Sequence, residues 1–159
     1  MNKALNIHWM FLLPLLLLSC DDGVDVKFDT HEFKKKKEQW QNKEITNYSF
    51  EYQSTGLGIE TYHIKVANNK ITTADYVYDG QTIPVTEGVK TINGLFDEIE
   101  NDYRDPYYSK GFYLTEIIVE YDDVYGYPKF VKHVYKGSDL GVTDGNYSWR
   151  INTFAPSND

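Results

Sequence analysis

Six stretches of this chain alternate apolar and polar residues with a period of two, and nothing else in the sequence limits the fold as much. Tyr48, Phe50 and Tyr52 alternate with Ser49, Glu51 and Gln53. Tyr62, Ile64 and Val66 alternate with Thr61, His63 and Lys65, and Lys70 to Tyr78 supplies a third stretch. Tyr113, Thr115, Ile117, Val119 and Tyr121 line one face of a fourth; Phe130 to Tyr135 is the fifth; Tyr147, Trp149 and Ile151 line the sixth. Successive side chains of a strand point to opposite faces, so each stretch reads as a half-buried β-strand. Asn68-Asn69 and Tyr125-Gly126-Tyr127-Pro128 are tight-turn sequences, which calls for antiparallel pairing.

Two segments carry a helical period instead. Asp29-Thr30-His31-Glu32 has capping-box spacing, with Phe33 and Trp40 on one face behind it. Thr91 is a good N-cap for Ile92, Leu95, Phe96, Ile99 and Tyr103, with acids on the other side and Pro106 as the stop. The expected fold is α+β: an antiparallel sheet of about six strands, with the two amphipathic helices covering one face. The order is helix, three strands, helix, three strands, which looks like a doubled unit. Leu95, Phe96 and Ile99 should pack on Ile64, Val66, Ile117 and Trp149. A small closed barrel is the alternative architecture.

The N-terminus speaks to location. Lys3 precedes a short apolar run from Trp9 to Leu18 that ends in Leu17-Leu18-Ser19-Cys20. That run is far shorter than the ~20 residues of a membrane span, so it reads as an export signal. Its end resembles the lipobox of bacterial lipoproteins, which implies a diacylglyceryl group on Cys20 and cleavage before it. The expected organisation is a signal peptide over 1–19, a lipidated tether over 20–28 and one domain over 29–155, in a bacterial cell envelope. Asp21 and Asp22 after the cysteine leave the choice of inner or outer membrane open.

Cys20 is the one cysteine, so no disulfide is available and the core must stand on packing. The chain carries 16 basic and 24 acidic residues, for a net charge of −8. Such a balance argues against nucleic acid, whose binding requires neutralised phosphates. The Lys34 to Lys37 run reads as a solvated helix face, with contact to anionic headgroups as the alternative.

Chemistry is hard to find. His31 sits in a helix cap, while His63 and His133 lie on separate strands, with no His-Glu-x-x-His and no Gly-x-Ser-x-Gly elbow. Asp122-Asp123 reads as a solvated turn. The loop from Asp139 to Asn146 fails as a calcium loop, having Gly141 in place of an oxygen ligand and no closing Glu. Gly56-Leu57-Gly58 lacks the third glycine of a dinucleotide site. No catalytic, metal or cofactor residue is therefore assigned.

The expected function is a non-enzymatic binding or interaction role, with an envelope protein or a small ligand as partner. A small hydrolase using dispersed carboxylates or His63 and His133 is the alternative. Alternation away from the helices places His63, Lys65, Leu114, Ile118, Arg150, Asn152 and Phe154 on the second sheet face, the candidate interaction face. The many tyrosines read as residues of a half-buried sheet, since most alternate as strand residues should, with a recognition surface as the alternative.

Several of these features come in one order: a helix ending in Trp40, the strand start Asn47-Tyr48-Ser49-Phe50, Thr91-Ile92 with Leu95-Phe96 and Ile99, then Tyr121-Asp122 and Tyr125-Gly126-Tyr127-Pro128. Together they resemble a bacterial family of small exported proteins and lipoproteins defined as the domain of unknown function number six-one-seven-four. The likeness spans about Phe33 to Phe154. Many members of that family carry cysteine in the early strands, and this chain does not. The resemblance implies a fold and a location, and no mechanism.

Overall fold

All six alternating stretches are strands of a single antiparallel sheet. The computed structural model describes residues 25–55, 58–109, 112–137 and 146–157; Cys20, the segment before Asp25, Gly56-Leu57 and the 138–145 loop lie outside the described residues. In chain order the elements are α1 (Thr30–Gln41), β1 (Tyr48–Thr55), β2 (Ile59–Ala67), β3 (Lys70–Tyr78), β4 (Gln81–Pro84), α2 (Ile92–Arg104), β5 (Tyr107–Ser109), β6 (Phe112–Tyr121), β7 (Pro128–Gly137) and β8 (Tyr147–Pro156).

The sheet has eight strands, not six, in the order β4-β3-β2-β1-β8-β7-β6-β5. The two additions are short edge strands of four and three residues, and β4 is exposed along its whole length, so it carries no alternation of the kind that marks a half-buried strand. The sheet is open, with β4 and β5 at its ends, so the closed barrel is set aside. The doubled unit also fails. Neighbouring strands are antiparallel throughout, so β1 and β6, three places apart, run in opposite directions. Sliding one meander onto the other would reverse every strand.

Local sequence explains each turn and cap. Asn68 and Asn69 both adopt positive φ, 52° and 61°, as a two-residue hairpin between β2 and β3 requires. The Asp29 carboxylate accepts from Glu32 N at 2.8 Å, and Thr91 Oγ1 accepts from Gly94 N at 3.1 Å. Gly126 turns between β6 and β7 with φ 85°, and a Cβ there would lie 2.9 Å from Lys36 O of α1. Only glycine lets that hairpin approach the helix so closely.

Both helices lie on the same face. Phe33 and Trp40 of α1 and Ile92, Leu95, Phe96 and Ile99 of α2 share one buried cluster with Ile64, Val66, Ile117 and Trp149. Full burial of each such side chain contributes about 1.5–3 kcal/mol. Polar contacts fix the helices as well. Trp40 Nε1 donates to Asn93 Oδ1 at 2.8 Å, and Ile92 N donates to the Tyr48 hydroxyl at 3.1 Å. Lys37 bridges to Asp97 and Glu100 at 3.1 and 2.9 Å. Burial works against the Lys37 charge, but these two carboxylates outweigh it and hold its pKa above the ordinary lysine value.

Two β-bulges invert the alternation where the sequence shows no break. In β6, Leu114 pairs with Tyr135 and Glu116 with Val134, so Thr115 is the extra residue. Leu114 thereby turns inward, 1% exposed beside Ile117, and Tyr113 falls on the other side. Between β1 and β8, Tyr52 pairs with Ile151 and Glu51 with Thr153, so Asn152 is the extra residue. Phe154 then joins the core, its ring 4.7 Å from Tyr127, 5.6 Å from Tyr48 and 5.8 Å from Trp40. Leu114 and Phe154 therefore leave the candidate interaction face.

Part of the segment expected to be a tether is instead tied to the sheet. Lys27 N donates to Thr115 O, and Ile117 N donates to Lys27 O, so this residue covers the bulged edge of β6. Val26 is buried, and Phe28 packs on Phe33 and Tyr103 at 5.3 Å. Val26 to Phe28 thus belong to the fold. They were unreadable as such because three residues are too few to show a period.

Candidate functional site

Alternation leaves the outer face of the sheet to residues between the core positions, and it is uncovered by either helix. His63, Lys65, Ile118, Arg150 and Asn152 are exposed there, as expected. Two of them converge on a residue that the sequence did not single out. Glu51 accepts from Asn152 Nδ2 at 2.7 Å through Oε1, and its Oε2 lies 3.3 Å from His63 Nε2. The three come together because Glu51 pairs with His63 across β1–β2 and sits beside the bulged Asn152 of β8. Arg150 lies over the Phe130 ring, 5.6 Å from its centre. A shallow depression of about 270 Å³ is lined by Glu120, Lys129, Phe130, Arg150, Ile151 and Asn152. With Leu114 and Phe154 turned inward, the large aliphatic side chains open on this face include Ile118, 39% exposed, and Ile59, 72% exposed at the start of β2. The rest is a solvated surface of mixed charge.

The helix-facing side holds a polar cluster that the alternation did not predict. Tyr52, Tyr62, Tyr76 and Ile83 are directly paired across β1, β2, β3 and β4. Successive ring centres of the three tyrosines are 6.1 and 5.3 Å apart. Tyr52 and Tyr147 share a hydroxyl–hydroxyl hydrogen bond of 2.9 Å, and the Tyr62 hydroxyl donates to Glu60 Oε2 at 3.0 Å. The carboxylates of Glu98 and Asp102 on α2 lie on the flank of this group.

These surroundings hold the phenols in their neutral form. Burial, followed by the Glu60 carboxylate, pushes Tyr62 up to about 12. Burial raises Tyr52 further, helped by Tyr147 and Glu98. Tyr147 is raised by burial against the opposing bond from Tyr52, and Glu98, Asp102 and Glu60 add to the rise. The pairing of the strands and the placement of α2 assemble this cluster. Its sequence signal was the recurrence of tyrosine at inward positions of three neighbouring strands.

His133 closes the inner end. It is fully buried, its ring stacked near Tyr147 at 5.8 Å and Tyr135 at 6.3 Å. Nε2 lies 3.0 Å from Asp102 Oδ2, but the contact is not aligned as a hydrogen bond, and Nδ1 has no hydrogen-bond partner among the described residues. Both strand histidines thus stand beside an acid. Neither stands in a cleft: His63 is on an open strand face, and His133 is sealed beneath α2.

A groove of about 480 Å³ between the helices is floored by Phe28, Phe33 and Tyr103, with Lys37, Glu100 and Arg104 on its rim. Those rim charges neutralise one another, since Glu100 bonds both Lys37 and Arg104. Among the described residues, no group of three or more His, Cys, Asp or Glu is placed to hold a metal ion.

The chain can be placed by its sequence as a whole. It matches the model of a family of unknown function, DUF6174, over residues 32–156, and it belongs to that family. No curated protein and no solved structure matches it.

Proposed function

We propose that the chain is a membrane-anchored lipoprotein of the bacterial cell envelope with a non-enzymatic binding role. The observation that carries this reading is the setting of the two strand histidines. A general base must reach both a substrate and a nucleophile. His133 is enclosed by the core, and His63 is spent on Glu51 at an open surface. What the fold offers instead is area: an outer sheet face free of helices and an aromatic strip beside α2. A binding protein uses faces of that kind.

The anchor rests on Cys20 and the apolar run before it. With Val26 already in the core, five residues separate it from the lipid cysteine, at most about 22 Å of extended chain. The domain then stands close to its membrane. Mass spectrometry of the membrane fraction tests this: a diacylated N-terminal Cys20 is expected, and unmodified Cys20 or a retained Met1 overturns it. The second reading, a small hydrolase, draws on the 3.0 Å contact between His133 and Asp102. It requires α2 to lift from β7, and strong protection of the His133 amide and of α2 from hydrogen exchange would remove it.

A further inference from the structure

We propose that the tyrosine strip Tyr52–Tyr62–Tyr76 is a docking surface for a lysine- or arginine-rich segment of a partner protein. The inference rests on the binding reading and moves the contact to the helix-side face, beyond the flank of α2. Acylation of Cys20 can fail its own test without touching it.

Two observations carry it. The first is the strip itself: three tyrosines in register on adjacent strands, half-buried, leading to Ile83 at 44% exposure and Tyr78 at 62%. The face of a tyrosine ring attracts a cation, most strongly where water is partly excluded. The second is charge. Glu60 is bonded to the Tyr62 hydroxyl and Glu98 acts on Tyr52, so two carboxylates serve tyrosines of the strip, and both act with Asp102 on Tyr147, which bonds Tyr52. Among the described residues, Lys90 is the one lysine or arginine in an ion pair with any of them, 3.3 Å from Glu98. His63 and Lys65 sit on the same strand as Tyr62 but point to the opposite face.

The length of the strip selects the occupant. Neighbouring strands lie about 4.8 Å apart, so Tyr52 to Ile83 spans about 14 Å. That exceeds one ammonium group and suits several side chains of an extended segment, with Ile83 and Tyr78 meeting its aliphatic stems. A neutral glycan would use the ring faces and donate hydroxyls to the carboxylates, but would leave their charge uncompensated.

The test uses the full chain in detergent and a fluorescein-labelled nine-residue oligoarginine, read by anisotropy. Saturable binding is expected, weakened at least tenfold by Tyr62→Ala with every carboxylate intact, and similarly by the double substitution Glu60→Gln, Glu98→Gln. Lys65→Gln and Glu51→Gln on the outer face should change affinity less than twofold. Tyr62→Leu, which keeps the bulk, separates loss of the ring from loss of folding, and circular dichroism checks both variants. Equal weakening by Glu51→Gln and Glu60→Gln would reduce the effect to net charge and overturn the proposal. So would an absence of binding, or binding indifferent to Tyr62. Capture of neutral chitotetraose at the strip, unaffected by loss of Glu60 and Glu98, would replace it with a glycan platform.

Discussion

The two faces of the sheet are built from alternate residues of the same strands, yet they use their polar groups in opposite ways. Under the helices, the half-buried Tyr52 bonds Tyr147, and the fully buried His133 meets Asp102. On the outer face, Glu51 gathers His63 and Asn152 in the open, and Arg150 rests on Phe130. Exposed pairs of that kind are worth about 0–1 kcal/mol, since solvent screens them. Each buried contact is held in a low-dielectric setting, where losing one partner leaves the other costly. The difference teaches where substitutions should hurt, and the sharpest probes sit where alternation alone misassigned a face.

Leu114 and Leu95 come first. If the bulge at Thr115 turns Leu114 inward, Leu114→Ala should destabilise by about 2–5 kcal/mol, as should Leu95→Ala on α2. Urea unfolding measures both. A cost below about half a kcal/mol for Leu114 would return it to the outer face and erase the bulge.

Gly126 tests how closely α1 meets the β6–β7 hairpin. Its φ of 85° and the 2.9 Å approach of Lys36 O leave no room for a methyl group. Gly126→Ala should cost about 1–3 kcal/mol by strain and overpacking. An unchanged unfolding midpoint would mean that helix and hairpin are loosely joined.

The raised phenols give the inner face a pH signature. A tyrosine whose pKa is higher folded than unfolded binds more protons in the folded state between the two values, so stability falls there as pH rises. For Tyr62 the window runs from the ordinary 10 to about 12. The stability it contributes is intact below pH 10 and is lost progressively toward pH 12. Denaturant midpoints measured across that range should fall, and less steeply in Tyr62→Phe. A flat profile in the unsubstituted chain would mean that water reaches the strip freely.

Much of this was legible beforehand, for reasons that particular residues make plain. The caps at Asp29 and Thr91, the turn at Asn68-Asn69 and the packing of Leu95, Phe96 and Ile99 are local chemistry, fixed within a few residues of chain. The bulges at Thr115 and Asn152 are not local: each depends on which residue of a partner strand sits opposite, and a one-residue slip reverses every face beyond it. That is why Leu114 and Phe154 were misplaced while Ile118, Arg150 and Asn152 were not. The strands β4 and β5 and the anchoring of Val26 to Phe28 escaped for a related reason, being pairings of three or four residues decided by their neighbours. Glu51 and the tyrosine strip needed the sheet order, which no single stretch of sequence contains.

The smallest expected effect is the most telling for the outer face. Ile118 is two residues from Glu116 and Glu120 on a solvated strand, and at 39% exposure it contributes little to the core. Ile118→Lys should change stability by no more than about half a kcal/mol, because lysine keeps an aliphatic stem along the strand and carries its charge into water. If the outer face is the binding surface, the same substitution should abolish capture of the partner by the lipidated chain, and retained capture would shift the search to the tyrosine strip. An unfolded Ile118→Lys chain would show that the outer face is covered and that the contrast between the two faces does not hold.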